Sequence, residues 1–262
     1  MPELPEVEAY RKYFARTSLR QKIRSIEVES PRMIKDTTIP ALQTKLKNKK
    51  FISTKRHGKY LFAKSEDGYY LVLHFGMTGD LKYFKSIEEK PKHTRLLINF
   101  ANGYHLALDD PRKFGTIRLI NDPEKFAEKK NMGPDPLAKS FSEKTFLQIM
   151  KKKTGAIKSV LMNQKNIAGI GNIYSDEILF HSGIHPNISI KKLNDRGLKN
   201  LYVNLKKILK KVINADTNQK NIPSTYLLKH RSSGEKCPKC NGKIIRRTIG
   251  GRSSYFCAKH QK

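Results

Sequence analysis

The chain has 262 residues, of which 37% are hydrophobic and 9% aromatic, enough to bury real cores and too much for a disordered tail. Lys and Arg number 53 against 23 Asp and Glu, a net charge of +30 that repels itself unless a polyanion offsets it, and nucleic acid is the obvious polyanion. No apolar run is long enough for a membrane span, and no basic-then-apolar leader opens the chain, so an intracellular, DNA-associated protein without a membrane is expected.

In chain order, residues 3–16 read as a helix with Leu4, Val7, Tyr10 and Phe14 near one face. Strand-like runs follow at 51–63 and 69–75 around the turn 65–68. Two more at 96–100 and 104–108 flank Asn102-Gly103, a strong hairpin signal, and another lies at 116–120. This half predicts a β-rich sandwich or barrel-like pair of sheets. The breaker cluster Met132-Gly133-Pro134-Asp135-Pro136 marks a boundary, after which the period becomes helical. Ser142 opens a helix to Lys152, and Gly169-Ile170-Gly171 precedes another over 172–182. Leu198, Leu201, Tyr202, Leu205, Ile208, Leu209 and Val212 form an amphipathic stripe. The expected division is 1–131, 132–228 and 229–262.

The three cysteines all lie near the end of the chain. Cys237-Pro238-Lys239-Cys240 and Cys257-Ala258-Lys259-His260 are two knuckles separated by 16 residues, a spacing that suits tetrahedral, structural zinc. Asn241-Gly242 and Gly250-Gly251 supply turns, so a β-hairpin carrying Arg246, Arg247 and Arg252 is expected between them. His260 lies two residues from the last, where a fourth ligand is prone to fray.

Residue type then suggests chemistry. Pro2 is small enough for removal of Met1 to be expected, which leaves a secondary amine, a competent nucleophile when unprotonated. A proline beginning a helix is equally ordinary. Glu3 beside it suits proton transfer, or complements a helix dipole as a first-turn acid. Gly169 and Gly171 leave backbone amides free before Asn172, a phosphate seat with Asn172 as the N-cap.

The opening Met1-Pro2-Glu3-Leu4-Pro5-Glu6-Val7-Glu8 resembles that of the formamidopyrimidine-DNA glycosylase / endonuclease VIII family. So do His57-Gly58-Lys59-Tyr60, His74-Phe75-Gly76-Met77-Thr78-Gly79, Asp110-Pro111-Arg112-Lys113-Phe114-Gly115, Gly169-Ile170-Gly171-Asn172 and the cysteine module, in family order. Each motif is weak alone, and together they are specific. The resemblance implies an α+β multidomain fold: an N-terminal β-sandwich with its N-terminal helix, a helical helix-two-turn-helix domain and a C-terminal zinc-finger β-hairpin, with double-stranded DNA bound between domains by a monomer. It implies a bifunctional DNA glycosylase and abasic-site lyase that removes oxidised bases through a Pro2 Schiff base with β,δ-elimination. Catalytic roles fall on Pro2, Glu3, Lys59 (β-elimination, on a strand after Gly58) and Arg252 (δ-elimination and phosphate). Met77, Arg112 and Phe114 are implied to fill the void left by an extruded base. His93, Lys152, Lys158 and Asn172 are implied to contact the DNA backbone, and Cys237, Cys240, Cys257 and His260 to hold one structural Zn2+.

Two departures stand out. His260 replaces the cysteine usual at the fourth zinc position. The stretch 215–230 lacks the glycine-rich loop of the bacterial enzymes, and His230-Arg231 is closer to the endonuclease VIII branch, which predicts poor handling of 8-oxoguanine. The competing readings are an endonuclease VIII-like preference for oxidised pyrimidines, a non-catalytic DNA-binding protein on the same fold, and a zinc-ribbon protein of the ribosome or transcription machinery.

Overall fold

A computed structural model describes residues 1–262. The chain divides into two compact units. Met1–Pro2 and Glu6–Asn131 form the first; Glu3–Pro5 and Met132–Lys262 form the second.

The first unit is a β-sandwich. Helix α1 (Leu4–Ser18) leads into strand β1 (Ile23–Val28) and helix α2 (Ile39–Leu46). Strands β2 (Phe51–His57), β3 (Tyr60–Ser65), β4 (Tyr70–His74), β5 (Asp80–Phe84), β6 (Thr94–Phe100), β7 (His105–Asp109) and β8 (Thr116–Ile120) follow, and helix α3 (Pro123–Lys129) closes the unit. One sheet runs β1-β6-β7-β5 and the other β2-β3-β4-β8, with antiparallel pairing throughout. Alternate residues face inward because side chains alternate across a strand. Leu61, Leu71, Leu73 and Ile117 of one sheet share a core with Ile26, Ile98 and Leu106 of the other and with Val7 and Phe14 of α1. The outer face of the second sheet is covered by Phe126 of α3, whose ring meets Tyr60 and Phe62 edge-on.

The expected strand over 51–63 is two strands. His57 pairs directly with Tyr60, so Gly58 and Lys59 are a two-residue turn, made possible by Gly58 at φ +54°. Lys59 therefore stands at a hairpin tip rather than within a strand. β-favouring residues lie on both sides of the turn, at 51–54 and 60–62, so the break at Gly58 was read through. Helix α2 was also unforeseen, although Thr38 caps it by accepting a hydrogen bond from Ala41 N at 3.2 Å and a proline sits in its first turn.

The second unit is helical, with a terminal hairpin. Helix α4 (Glu143–Lys151) is capped by Ser142, as expected, and is followed by α5 (Ile157–Met162), α6 (Asn172–Ser182) and α7 (Asp195–Asn214). The stripe on α7 is buried at Leu198, Leu201, Leu205, Ile208, Leu209 and Val212. It packs in one core with Phe146, Met150, Ile178, Leu179 and Leu4. Helix α6 has no polar face: Tyr174 through Phe180 are all buried, Ser175, Asp176 and Glu177 included. A helix buried all round must satisfy its polar side chains internally. Strands β9 (Ile244–Ile249) and β10 (Arg252–Cys257) form the terminal hairpin. They join through Gly250-Gly251, both at positive φ.

Candidate active site and metal centre

Glu3 is fully buried. Its Oε2 accepts from Gly171 N at 2.7 Å and Tyr174 N at 3.3 Å, and its Oε1 accepts from Ile173 N at 2.8 Å. Leu4 N donates to Gly169 O at 3.0 Å. The loop before α6 is shaped for this. Gln164 Oε1 accepts from Gly169 N at 2.8 Å, its Nε2 donates to Ile170 O at 2.6 Å, and Gly169 adopts φ +100°. Two expectations change. Gly171 is the N-cap and Asn172 the first helical residue. Of the amides foreseen as a phosphate seat, Gly169 N donates to Gln164 and Gly171 N to Glu3, whose carboxylate takes Ile173 N and Tyr174 N as well, because a buried anion at a helix N-terminus uses the same donors and the same dipole as a phosphate. Glu3 does complement a helix dipole, but that of α6 rather than of its own helix.

Lys158 also departs from expectation. It was foreseen on the DNA backbone, yet its side chain is fully buried. Its Nζ lies 2.6 Å from Asp176 Oδ1 and donates to Ser254 Oγ at 2.6 Å and Ser253 O at 3.2 Å. Burial pulls its ammonium below the usual lysine range, and the Asp176 carboxylate opposes that pull. Asp176 Oδ2 also meets Arg231 at 3.0 Å and accepts from Tyr255 N at 3.1 Å, while Arg231 lies over the Tyr255 ring. Lys158 is thus an internal strut joining α5 and α6 to the hairpin. Asp176, Glu177 and Arg231 were missed as structural residues; the signal was an Asp-Glu pair inside an otherwise apolar helix pattern.

The cysteine module has the dimensions of a metal site. The ligand atoms of Cys237, Cys240, Cys257 and His260 all lie within 4.8 Å of one another. Cys240 Sγ stands 3.5 Å from Cys257 Sγ, and His260 Nδ1 stands 3.5 Å from Cys237 Sγ and 3.7 Å from Cys240 Sγ. Thiolates about 2.3 Å from tetrahedral zinc are separated by roughly 3.8 Å, so the set is the right size. His260 Nε2 lies 3.2 Å from Phe180 O, a carbonyl that fixes the tautomer leaving Nδ1 as the ligand atom. His260 is not frayed: Gln261 is buried, its Nε2 donates to Ile184 O and its Oε1 accepts from Cys257 N.

In the first unit, Met77 (38% exposed), Arg112 and Phe114 (53% exposed) stand on two neighbouring loops, with the Arg112 guanidinium 4.9 Å from the Phe114 ring. Their loops are held by Asp110, which is fully buried and accepts from Thr78 Oγ1 at 2.6 Å and Gly115 N at 2.8 Å. His74 Nδ1 accepts from Gly76 N at 3.2 Å, which requires a neutral ring. Removal from water, then Lys59 and Arg118, push its pKa down to about 4, against Asp110. His93 is half-buried, with its backbone tied to Asp109 and Asp110, and Lys152 is exposed at the C-cap of α4. Arg252 is exposed at the start of β10 and Pro2 is half-buried.

Residues 1–117 match the model of the formamidopyrimidine-DNA glycosylase N-terminal domain, and residues 132–224 that of the formamidopyrimidine-DNA glycosylase H2TH domain. The chain belongs to the formamidopyrimidine-DNA glycosylase family. Curated members of this family from Bacillus subtilis (33% identical, covering 100% of this chain and 99% of the relative) and Mycoplasma pneumoniae (34%, 100% and 99%) run its whole length. Crystal structures of the Lactococcus lactis formamidopyrimidine-DNA glycosylase superpose with TM-scores of 0.89 for a complex with abasic-site DNA (33% identity, 99% of each chain) and 0.90 for a complex with a Fapy-dG-containing DNA (33%, 99% and 100%). These likenesses favour the formamidopyrimidine glycosylase over the endonuclease VIII-like, non-catalytic and zinc-ribbon alternatives.

Two predictions follow from this chemistry. A strong chelator should release one zinc per chain, measured with a chromophoric indicator, and should deprotect the amides of 244–257 to hydrogen exchange; Cys240→Ser should retain little metal. His74 has a folded pKa below its unfolded value near 6.5, so its contribution is present above that value and fades as pH falls towards 4. Melting temperatures between pH 7 and 4.5 should therefore fall less steeply for His74→Asn, whose amide oxygen accepts the same hydrogen bond at every pH.

Proposed function

We propose that this member of the family is a bifunctional DNA glycosylase and abasic-site lyase of base excision repair, with the Pro2 amine as nucleophile. The observation that carries the reading is the pinning of Glu3. Two backbone hydrogen-bonded oxygens and the contact of Leu4 N with Gly169 O fix the residue next to Pro2 in a buried, defined position.

The proline nitrogen attacks C1′ of the damaged nucleotide, the C1′–base bond breaks, and the base leaves with its electron pair and takes up a proton; the nitrogen then gives up its own proton and the C1′–O4′ bond opens, O4′ becoming a hydroxyl, to leave an iminium. Glu3 is the group placed to move protons beside the amine. The resulting iminium acidifies the sugar, so the 3′ phosphate and then the 5′ phosphate are eliminated, with Lys59 and Arg252 assigned to those steps and to phosphate contact. Met77, Arg112 and Phe114 occupy the vacated space in the duplex. His93, Lys152 and Asn172 contact the backbone, and the net charge of +30 supplies the long-range attraction. Bound zinc supplies structure only: four protein donors leave no open position, and the ion would hold the hairpin bearing Arg252.

The preferred lesion is proposed from residues 215–230. This short segment is fastened to α6, with Leu227 N and Leu228 N donating to Glu177 at 3.0 and 2.7 Å, and Ile222 and Tyr226 buried. Fastened so, it has little length to fold over an extruded base. Formamidopyrimidines, hydantoins and abasic sites are the proposed substrates ahead of 8-oxoguanine.

Borohydride reduces an iminium to a stable amine, so it tests the mechanism. Protein beginning at Pro2 should give a trapped adduct with duplexes bearing a formamidopyrimidine or an abasic site, and protein retaining Met1 should give none. Adduct yield with 8-oxoguanine opposite cytosine should be lowest in the panel. No adduct on any duplex would demote Pro2 to a helix-starting residue.

A further inference from the structure

The loops that carry Met77 and the Arg112–Phe114 pair are built as one body. Their backbones touch: a Cβ at Gly76 would meet Phe114 C at 2.5 Å and Gly115 N at 2.6 Å, and one at Gly115 would meet His74 O at 2.8 Å. Gly76 also sits at φ +57°, where a side chain is strained. Contact alone would let the loops slide, and hydrogen bonds prevent it. Thr78 Oγ1 donates to Asp110 Oδ1 at 2.6 Å and accepts from Arg112 N at 3.4 Å, while Asp110 Oδ2 takes Gly115 N at 2.8 Å. Asp110 is itself fixed. Its N donates to His93 O at 3.0 Å, and its O accepts from Arg95 Nε at 2.9 Å and Lys113 N at 3.2 Å. Nothing in the excision chemistry needs this carboxylate, and it is fully buried.

We infer that Thr78 and Asp110 are positioning residues, a latch that makes the Met77 loop and the Arg112–Phe114 loop a single rigid wedge, and that this rigidity serves extrusion of the damaged base rather than the sugar chemistry. The inference rests on the glycosylase reading. Thr78 lies on the Met77 loop and Asp110 starts the other, so one short bond from a hydroxyl to a carboxylate oxygen spans both. Unlatched, each tip can retreat when pressed against a base stack. The order of the loops is then restored only at the expense of conformational freedom during extrusion. An abasic nucleotide has no base to unstack, so the lyase reaction on a preformed abasic site makes a much smaller demand on the wedge.

The test compares Thr78→Val with Thr78→Ser and wild type, using full-length zinc-loaded protein and single-turnover kinetics on two duplexes, one with a formamidopyrimidine and one with a preformed abasic site. Valine keeps the shape and loses the hydroxyl; serine keeps the hydroxyl. Thr78→Val should slow formamidopyrimidine release by roughly tenfold, the scale of a lost hydrogen bond to a charged group. It should change abasic-site cleavage by less than about twofold, and Thr78→Ser should restore release. A 2-aminopurine beside the lesion should brighten more slowly with Thr78→Val, reporting delayed unstacking. Equal loss on both duplexes, or no loss on either, would overturn the latch. Should Thr78→Val fail to fold, a Thr78→Ala protein losing the two activities equally would overturn it too. Wild-type protein that cleaves neither duplex would instead sink the glycosylase reading, and the 2-aminopurine signal would still report on the wedge.

Discussion

The capture of the Glu3 carboxylate by the N-terminus of α6 is the constraint on which the second unit rests. Three backbone amides converge on one buried side chain, and an unpaired buried amide costs about 1–3 kcal/mol. The helix that receives Glu3 then distributes that fixed position along its length. One turn further on, Asp176 gathers Lys158, Arg231 and Tyr255 N. Glu177 binds two amides of the segment leading to the hairpin, and Phe180 O orients His260. A single helix thereby sets the residue next to Pro2, the segment proposed to bear on lesion choice and the geometry of the candidate metal ligands.

The sandwich unit solves a different problem. Apolar and cationic side chains must stand exposed without collapsing onto the surface. Its two sheets bury their inner faces, and the loops at Gly76 and Gly115 are packed so closely that only glycine fits. The buried carboxylate of Asp110 holds both loops at once. His74, neutral and accepting from Gly76 N, supports the same place from the strand side.

Much of this was legible in the residues. The Asn102-Gly103 turn, the Ser142 cap and the stripe on α7 each reflect a local rule that tertiary packing did not overrule. The paired knuckles announced a metal cluster because ligand spacing is itself local. The larger failures were non-local. Nothing near Glu3 tells that its partners lie about 170 positions away, and nothing in a lysine-rich chain marks Lys158 as the one whose charge is buried against Asp176. The missed turn at Gly58-Lys59 was local, read through because strand-forming residues stand on both sides of it. Thr78 was read only as part of a motif, since its value depends on a carboxylate 32 residues downstream.

The all-round burial of α6 has a consequence for how such an enzyme drifts. A helix with an exposed face tolerates substitution on that face and lets the sequence wander. Helix α6 buries every residue from Tyr174 to Phe180, and its acids each serve two or more partners, so it offers almost no neutral positions. Divergence must be absorbed elsewhere, in the surface of α7 and in loops such as 215–230. A laboratory library meant to change which lesion is removed would do best to leave α6 untouched and randomise the exposed positions of that segment, such as 218–221 and 224–225, while keeping the buried Ile222, Tyr226 and Leu227 that tie it to the scaffold.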